Sequence, residues 1–172
     1  MAQSIDFDFF NTMFQVSPDS KSGLVWSCKK KGVSPGDQAG TVYSNGYWCL
    51  RLRLQENSKR QIYFVHRIVY VLYHKQNIDG LFIDHVDKNK LNNKISNLRI
   101  ATLSQNQWNK GGSKSSTSQY KGVSWAKNEN KWRACIHVNK KQIALGYFDD
   151  ELEAANVYKN AANTYHGEFT CC

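Results

Sequence analysis

The sequence predicts an α+β fold organised as two modules, and three observations carry that expectation. Short runs of β-branched and aromatic residues, bounded by turn residues, recur along the chain and read as strands. Helical periodicity is confined to a few stretches, chiefly Arg67–Tyr73 and the segment from Asp150 to Tyr165. Between them lies Lys110-Gly-Gly-Ser-Lys-Ser-Ser-Thr-Ser118, which holds no apolar residue and reads as a flexible linker. The expected organisation is a β-rich first module over residues 1–110, a linker at 111–118 and a second module over 119–172.

Taken in order, residues 5–14 read as a short aromatic helix and Leu24–Trp26 as a strand. Thr41–Tyr43 and Tyr47–Leu54 flank Asn45-Gly46, a dipeptide suited to the tight turn of a hairpin. Gln61–Val65 is a further strand, running into an apolar helix across Arg67–Tyr73. Leu81–Ile83 is a short strand ending at Asp84-His85, Leu98–Ala101 its antiparallel partner, and residues 103–110 a short polar helix. In the second module, Gly122–Ala126, Trp132–Val138 and Gln142–Phe148 read as three strands. Asp150 supplies an N-cap, with Glu153 three residues on. Ala155, Tyr158, Ala162 and Tyr165 recur at helical spacing, and Gly167 suits the stop. So many alanines imply close approach of that helix to the sheet.

With 41% hydrophobic and 22% charged residues, the chain is expected to fold and stay soluble. Its start, Ile5-Asp6-Phe7-Asp8-Phe9-Phe10, is acidic and aromatic, so no secretory leader is expected. No apolar run reaches the length of a membrane span. The five cysteines, Cys28, Cys49, Cys135, Cys171 and Cys172, include no C-x-x-C pair. That argues against a disulfide framework or zinc finger, and for a reducing cytosol. A net charge of +9 points to a polyanionic partner, nucleic acid first. A merely basic enzyme is the alternative that charge alone leaves open.

The densest group of chemistry-bearing residues runs from Asp84-His85 through Asn97-Leu98 to Asn106. Asparagine and aspartate are common in turns because they tolerate strained backbone and bond locally, and Asn89, Asn92 and Asn93 are assigned to that role. Turn chemistry does not account for an Asp-His pair at a strand end, followed by a strand and a helix carrying Asn106. His66-Arg67 at a helix start, Asp84-His85, Asn97-Leu98 and Asn106 come in that order. In this pattern, residues 39–110 resemble the HNH endonucleases, specifically their phage and intron-homing branch.

The resemblance implies a strand–strand–helix (ββα-metal) nuclease module. His85 would be the general base that takes a proton from the attacking water. Asp84 and Asn106 would hold one divalent cation, Mg²⁺ or Mn²⁺, through oxygen. Asn97 would hold the loop and orient His85. Asn106 stands where the family's name has a histidine, and an amide oxygen suits a hard metal better than zinc. For His66, a structural role and a phosphate contact are both open. Arg67 is the better phosphate candidate, with local pairing as its alternative. His74, His137 and His166 have no partner that the sequence names.

In the second module, Tyr120–Trp125, Lys131–Ile136, Leu145–Asp149 and Glu153–Tyr158 resemble the Apetala/ethylene-response-factor DNA-binding domain, over residues 119–169. That family implies a three-stranded antiparallel sheet with one packed helix, the sheet lying in the major groove of double-stranded DNA. Charge agrees independently: residues 119–141 hold six Lys/Arg against Glu129, and 142–172 hold Lys159 against five acids. Candidate contacts are Lys121, Trp125, Lys127, Lys131, Arg133 and His137, with Trp132 either core or contact. Ser124 and His137 stand where the plant proteins carry arginine, so their target sequence does not transfer.

Together these readings imply a site-directed DNA endonuclease of a phage, acting in the bacterial cytoplasm as a monomer or homodimer, with no membrane partner. Two alternatives remain at this stage. One is a DNA-binding regulator with an inactive nuclease domain. The other acts on RNA, weakened by the lack of an RNA-type aromatic motif.

Overall fold

In the computed structural model, which describes residues 5–54, 59–109, 116–139 and 141–170, the first helix begins where the sequence offers a cap. Asp6 accepts a hydrogen bond from Phe9 N at 3.1 Å and opens α1 (Phe7–Met13). The chain then forms an antiparallel pair, β1 (Phe14–Val16) with β2 (Leu24–Trp26). The Asn45-Gly46 turn joins β3 (Thr41–Val42) to β4 (Trp48–Leu52), and β5 (Gln61–Phe64) completes a three-stranded antiparallel sheet in the order β3-β4-β5. The hairpin expected at Asn45-Gly46 is present.

The next helix, α2 (Val65–His74), is buried almost throughout, because Val65, Ile68, Val69, Val71 and Leu72 follow one another on its inner side. With Phe10, Phe14, Leu24 and Tyr63 they make the main core. Each such side chain taken from water contributes roughly 1.5–3 kcal/mol. On this support lies a two-stranded pair, β6 (Phe82–His85) and β7 (Leu98–Ala101), with Asp84 opposite Arg99 and His85 opposite Leu98. Helix α3 (Leu103–Trp108) follows, so the expected order of strand, strand and helix is observed.

The chain divides into two compact units, Met1–Leu103 and Ser104–Cys172. The second unit thus begins within α3, earlier than the boundary expected at residue 110. Its centre is β8 (Val123–Ala126), β9 (Lys131–Val138) and β10 (Lys141–Phe148), antiparallel in the order β10-β9-β8, with α4 (Glu151–His166) packed on one face. The carboxylate of Asp150 accepts from Leu152 N and Glu153 N, as an N-cap should. Close approach is literal at Gly122, where an added Cβ would stand 2.1 Å from the Tyr158 ring.

Residues 110–115 of the expected linker lie outside the described residues. The rest of it is bonded into the second unit. Ser116 Oγ donates to Val123 O, Thr117 Oγ1 accepts from Trp125 N, and buried Ser118 donates to Glu151 at 2.6 Å. A serine-rich composition reads as flexible until its hydroxyls find partners.

Candidate active site

The site begins with His85, the last residue of β6, which is buried. Its Nε2 lies 3.0 Å from Asn93 Oδ1. The amide's orientation is set by its other end, where Asn93 Nδ2 donates to Ser22 O at 2.9 Å. A backbone carbonyl only accepts, so the NH₂ must face Ser22 and the oxygen must face the ring. Nε2 therefore carries the proton, and a neutral imidazole keeps its basic lone pair on Nδ1. Burial holds the His85 pKa below its ordinary value, against the bond from Asn93 and the charges of Asp87 and Asp84, with Lys90 adding to the depression.

Between the strands, residues 86–97 form a loop tied by its own polar side chains. Asn97 is buried; its Oδ1 accepts from Asp87 N at 3.0 Å and its Nδ2 donates to Asp87 Oδ1 and Asn92 O, each at 2.8 Å. Asn92 Nδ2 donates to Asp87 Oδ2 at 2.7 Å, and Asn89 N to Asp87 Oδ1. Burial raises the Asp87 carboxyl, but these bonds and the nearby His85 outweigh it and hold it below the usual carboxylate range. Asn97 ties Asp87 to Asn92 within the loop. The side chain bonded to the His85 ring is that of Asn93, which the turn reading had claimed.

Two rings stand against His85, with a third behind them. His66 packs 4.9 Å from it, Tyr47 lies 6.0 Å away, and Phe64 touches His66 at 5.6 Å between centroids. Lys90 Nζ sits 4.6 Å over Tyr47. Burial, then the charges of His85 and Arg67, push His66 well below the ordinary histidine value, so it is neutral. Burial, with the charge of Asp84, raises the Tyr47 hydroxyl.

Beside His85, the buried Asp84 accepts from Arg99 Nε and Nη2, both at 3.0 Å to Oδ2. Arg99 bonds one oxygen of this carboxylate, and a hard carboxylate oxygen is of the donor type that suits Mg²⁺ or Mn²⁺. Among the described residues no three of His, Cys, Asp and Glu converge as a metal cluster. The expected donors, one carboxylate and one amide, are not a set of that kind. Asn106 is half-buried on α3.

Other expected positions are corrected by burial and register. Arg67 was expected at a phosphate, but it is buried and its Nη1 donates to Leu81 O at 2.8 Å, anchoring the approach to β6. Trp125 pairs with Trp132, ring to ring at 5.1 Å, on the same side of the sheet as Val123 and Ala134, the side packed by α4. Trp132 likewise packs against that core. Lys121 donates to Gln107 O and Trp108 O.

On the opposite face of β9 stand Lys131, Arg133 and His137. Lys131 pairs with Asp149 at 3.2 Å in the open, and buried Arg133 Nε finds no hydrogen-bond partner. Lys127 and the His137 side chain are exposed. Sequence reasoning missed Asn93, Ser22 and Arg99. Arg99 alone left a signal, since a hairpin pairing Leu98 with His85 must set it opposite Asp84.

Residues 63–108 match the family model described as HNH endonuclease. The chain is 38% identical over 90 residues to Protein 3.8 of Escherichia phage T7, a match covering 52% of this chain and 74% of that protein. It is also 38% identical over 106 residues to an HNH endonuclease of Acanthamoeba polyphaga mimivirus, covering 61% of this chain and 54% of the relative. A solved structure titled DNA binding and cleavage by the HNH homing endonuclease I-HmuI aligns with a TM-score of 0.42 at 26% identity, over 62% of this chain and 56% of that one. The chain thus spans about half the length of the latter two. No helix among the described residues is long and apolar enough to cross a membrane.

Proposed function

The chain belongs to the HNH endonuclease family, and from that premise we propose that it cuts double-stranded DNA by hydrolysing phosphodiester bonds. His85 supports this reading most. It is a buried, neutral imidazole whose Nε2–H is held by Asn93, so its basic lone pair is on Nδ1. A water positioned there attacks phosphorus and gives its proton to Nδ1, while the bond to the 3′ oxygen breaks. Asn97 keeps the loop closed, and Asn93 keeps the ring turned.

Asp84 and Asn106 would hold one Mg²⁺ or Mn²⁺, which when bound supplies charge stabilisation at the phosphate and the leaving oxygen. The second unit would hold the enzyme on its target in the manner of an Apetala/ethylene-response-factor domain, with Arg133, Lys131, Lys127 and His137 toward DNA. This division, 1–110 for cutting and 119–172 for reading, suits a phage homing endonuclease acting in the host cytoplasm, as monomer or homodimer.

The test is plasmid and phage DNA incubated with the full chain. Cleavage is expected with Mg²⁺ and not in excess EDTA. His85→Ala should slow it about 10²- to 10⁴-fold while leaving DNA binding intact. Cutting that persists in chelator, or a His85→Ala enzyme at the normal rate, would sink the mechanism.

A further inference from the structure

Helix α3 has only six residues, Leu103–Trp108, and buries none of them. Isolated helices that short do not hold in water, since stability needs roughly 12 residues or tertiary packing. The groups that grip its end lie in the same compact unit as residues 104–108. The indole of Trp108 stacks on His166, centroids 4.2 Å apart and rings 9° from parallel. His166 is itself buried, and its Nε2 donates to His137 O at 3.1 Å, which fixes the plane on which Trp108 rests. Lys121 donates to the carbonyls of Gln107 and Trp108, placing a cation where a helix end is most negative. Gly122, clamped against Tyr158, holds the backbone from which Lys121 reaches.

We propose that Trp108, His166 and Lys121 are positioning residues that set the orientation of Asn106 by docking α3 onto the C-terminal sheet and helix. At about 100° per residue, positions 106 and 108 lie on opposite sides of α3, so docking the indole turns Asn106 outward. His166 and Lys121, one without a partner in the sequence and the other expected on DNA, thereby gain a shared role. The proposal rests on the reading of Asn106 as an oxygen donor to the metal.

The experiment measures Mn²⁺ binding to the full chain by electron paramagnetic resonance, with DNA affinity read separately in Ca²⁺. Trp108→Ala and His166→Ala are expected to weaken Mn²⁺ binding about 10-fold, the usual effect of losing an outer support, with DNA affinity within about two-fold of the parent. Trp108→Phe and His166→Phe keep a stacking ring and should recover most of the loss. Asn106→Ala should weaken Mn²⁺ as much, and adding Trp108→Ala to it should cost nothing more. If Asn106→Ala weakens Mn²⁺ and Trp108→Ala does not, the docking role is wrong and the donor role stands. Should Asn106→Ala leave Mn²⁺ affinity unchanged, the donor reading fails and takes the proposal with it. Loss of metal and DNA binding together, in the phenylalanine variants too, would assign the stack to folding alone and overturn the proposal.

Discussion

The loop between β6 and β7 and the open face of β9 are both rich in polar side chains, yet they are built in opposite ways. In the loop, Asn93 and Asn97 are buried and bonded at both ends of their amides. On β9, Lys131 is half-exposed and meets one exposed acid, and the buried Nε of Arg133 has no hydrogen-bond partner. A group that must hand over a proton has to be held in one geometry, so its neighbours are short, saturated amides. Charge that is offered to a polyanion acts at longer range and tolerates mobility, so long cations on a strand suffice. On the proposed reading, rigidity belongs to the chemistry and charge to the grip.

That contrast breaks most visibly at Asn93. Asn93→Ala removes the partner of His85 and leaves Ser22 O unmatched, and the rate should fall about 10- to 100-fold with DNA affinity unchanged. A rate within two-fold of the parent would mean that the loop does not orient the base. Next in size is Arg133→Ala. Losing an arginine that reads a base edge should cost about 1–3 kcal/mol of DNA affinity and relax specificity at one position, with no change in the cleavage step. A fall in maximal rate at saturating DNA would erase the distinction between the two regions.

Acid should separate them as well. His66, His85 and His166 all sit below the ordinary value of 6.5, burial being the largest cause in each. A histidine depressed in this sense binds its proton more weakly folded than unfolded. Its stabilisation is complete above 6.5 and is lost as pH falls from there through the folded value. The first unit buries two of the three. Hydrogen exchange followed from about pH 7.5 to about pH 5.5 should show it opening before the second unit. Simultaneous opening would argue against separate histidine control.

The smallest effect is expected at Lys131. Lys131→Ala should lower the slope of log affinity against log salt by about 1, and Asp149→Asn should strengthen binding by releasing the ammonium. An unchanged slope would move the phosphate contact elsewhere.

Local patterns made much of the fold readable. Asn45-Gly46 announced its hairpin, alternation located β8 to β10, and Asp150 marked the start of α4. Asp84-His85 stood out because no turn needs that pair. What escaped was decided by distance along the chain or by burial. Asn93 bonds Ser22, 71 residues away, and nothing in an asparagine-rich turn distinguishes the one amide that points inward. Arg67 and Trp125 look like surface contacts by type, but Arg67 is buried and Trp125 is half-buried against Trp132 on the helix side of the sheet. The linker composition misled at Ser116–Ser118 because a hydroxyl that caps and one that merely hydrates are the same letter.

The chain of bonds that fixes His85 ends on a peptide carbonyl, and this has a consequence for inheritance. No change of side chain at position 22 can delete that acceptor, because every amino acid carries it. The fragile letter is the next one. At Gly23, with φ of 79°, an added Cβ would press on the Asn93 Cβ and carbonyl oxygen at 3.2 Å each. A change at Ser22 disturbs the bonds of its own buried hydroxyl to Leu24 but spares this carbonyl, while a single methyl at its neighbour reaches the His85 ring through one amide. The geometry of the imidazole thus depends on a position that carries no side chain of its own.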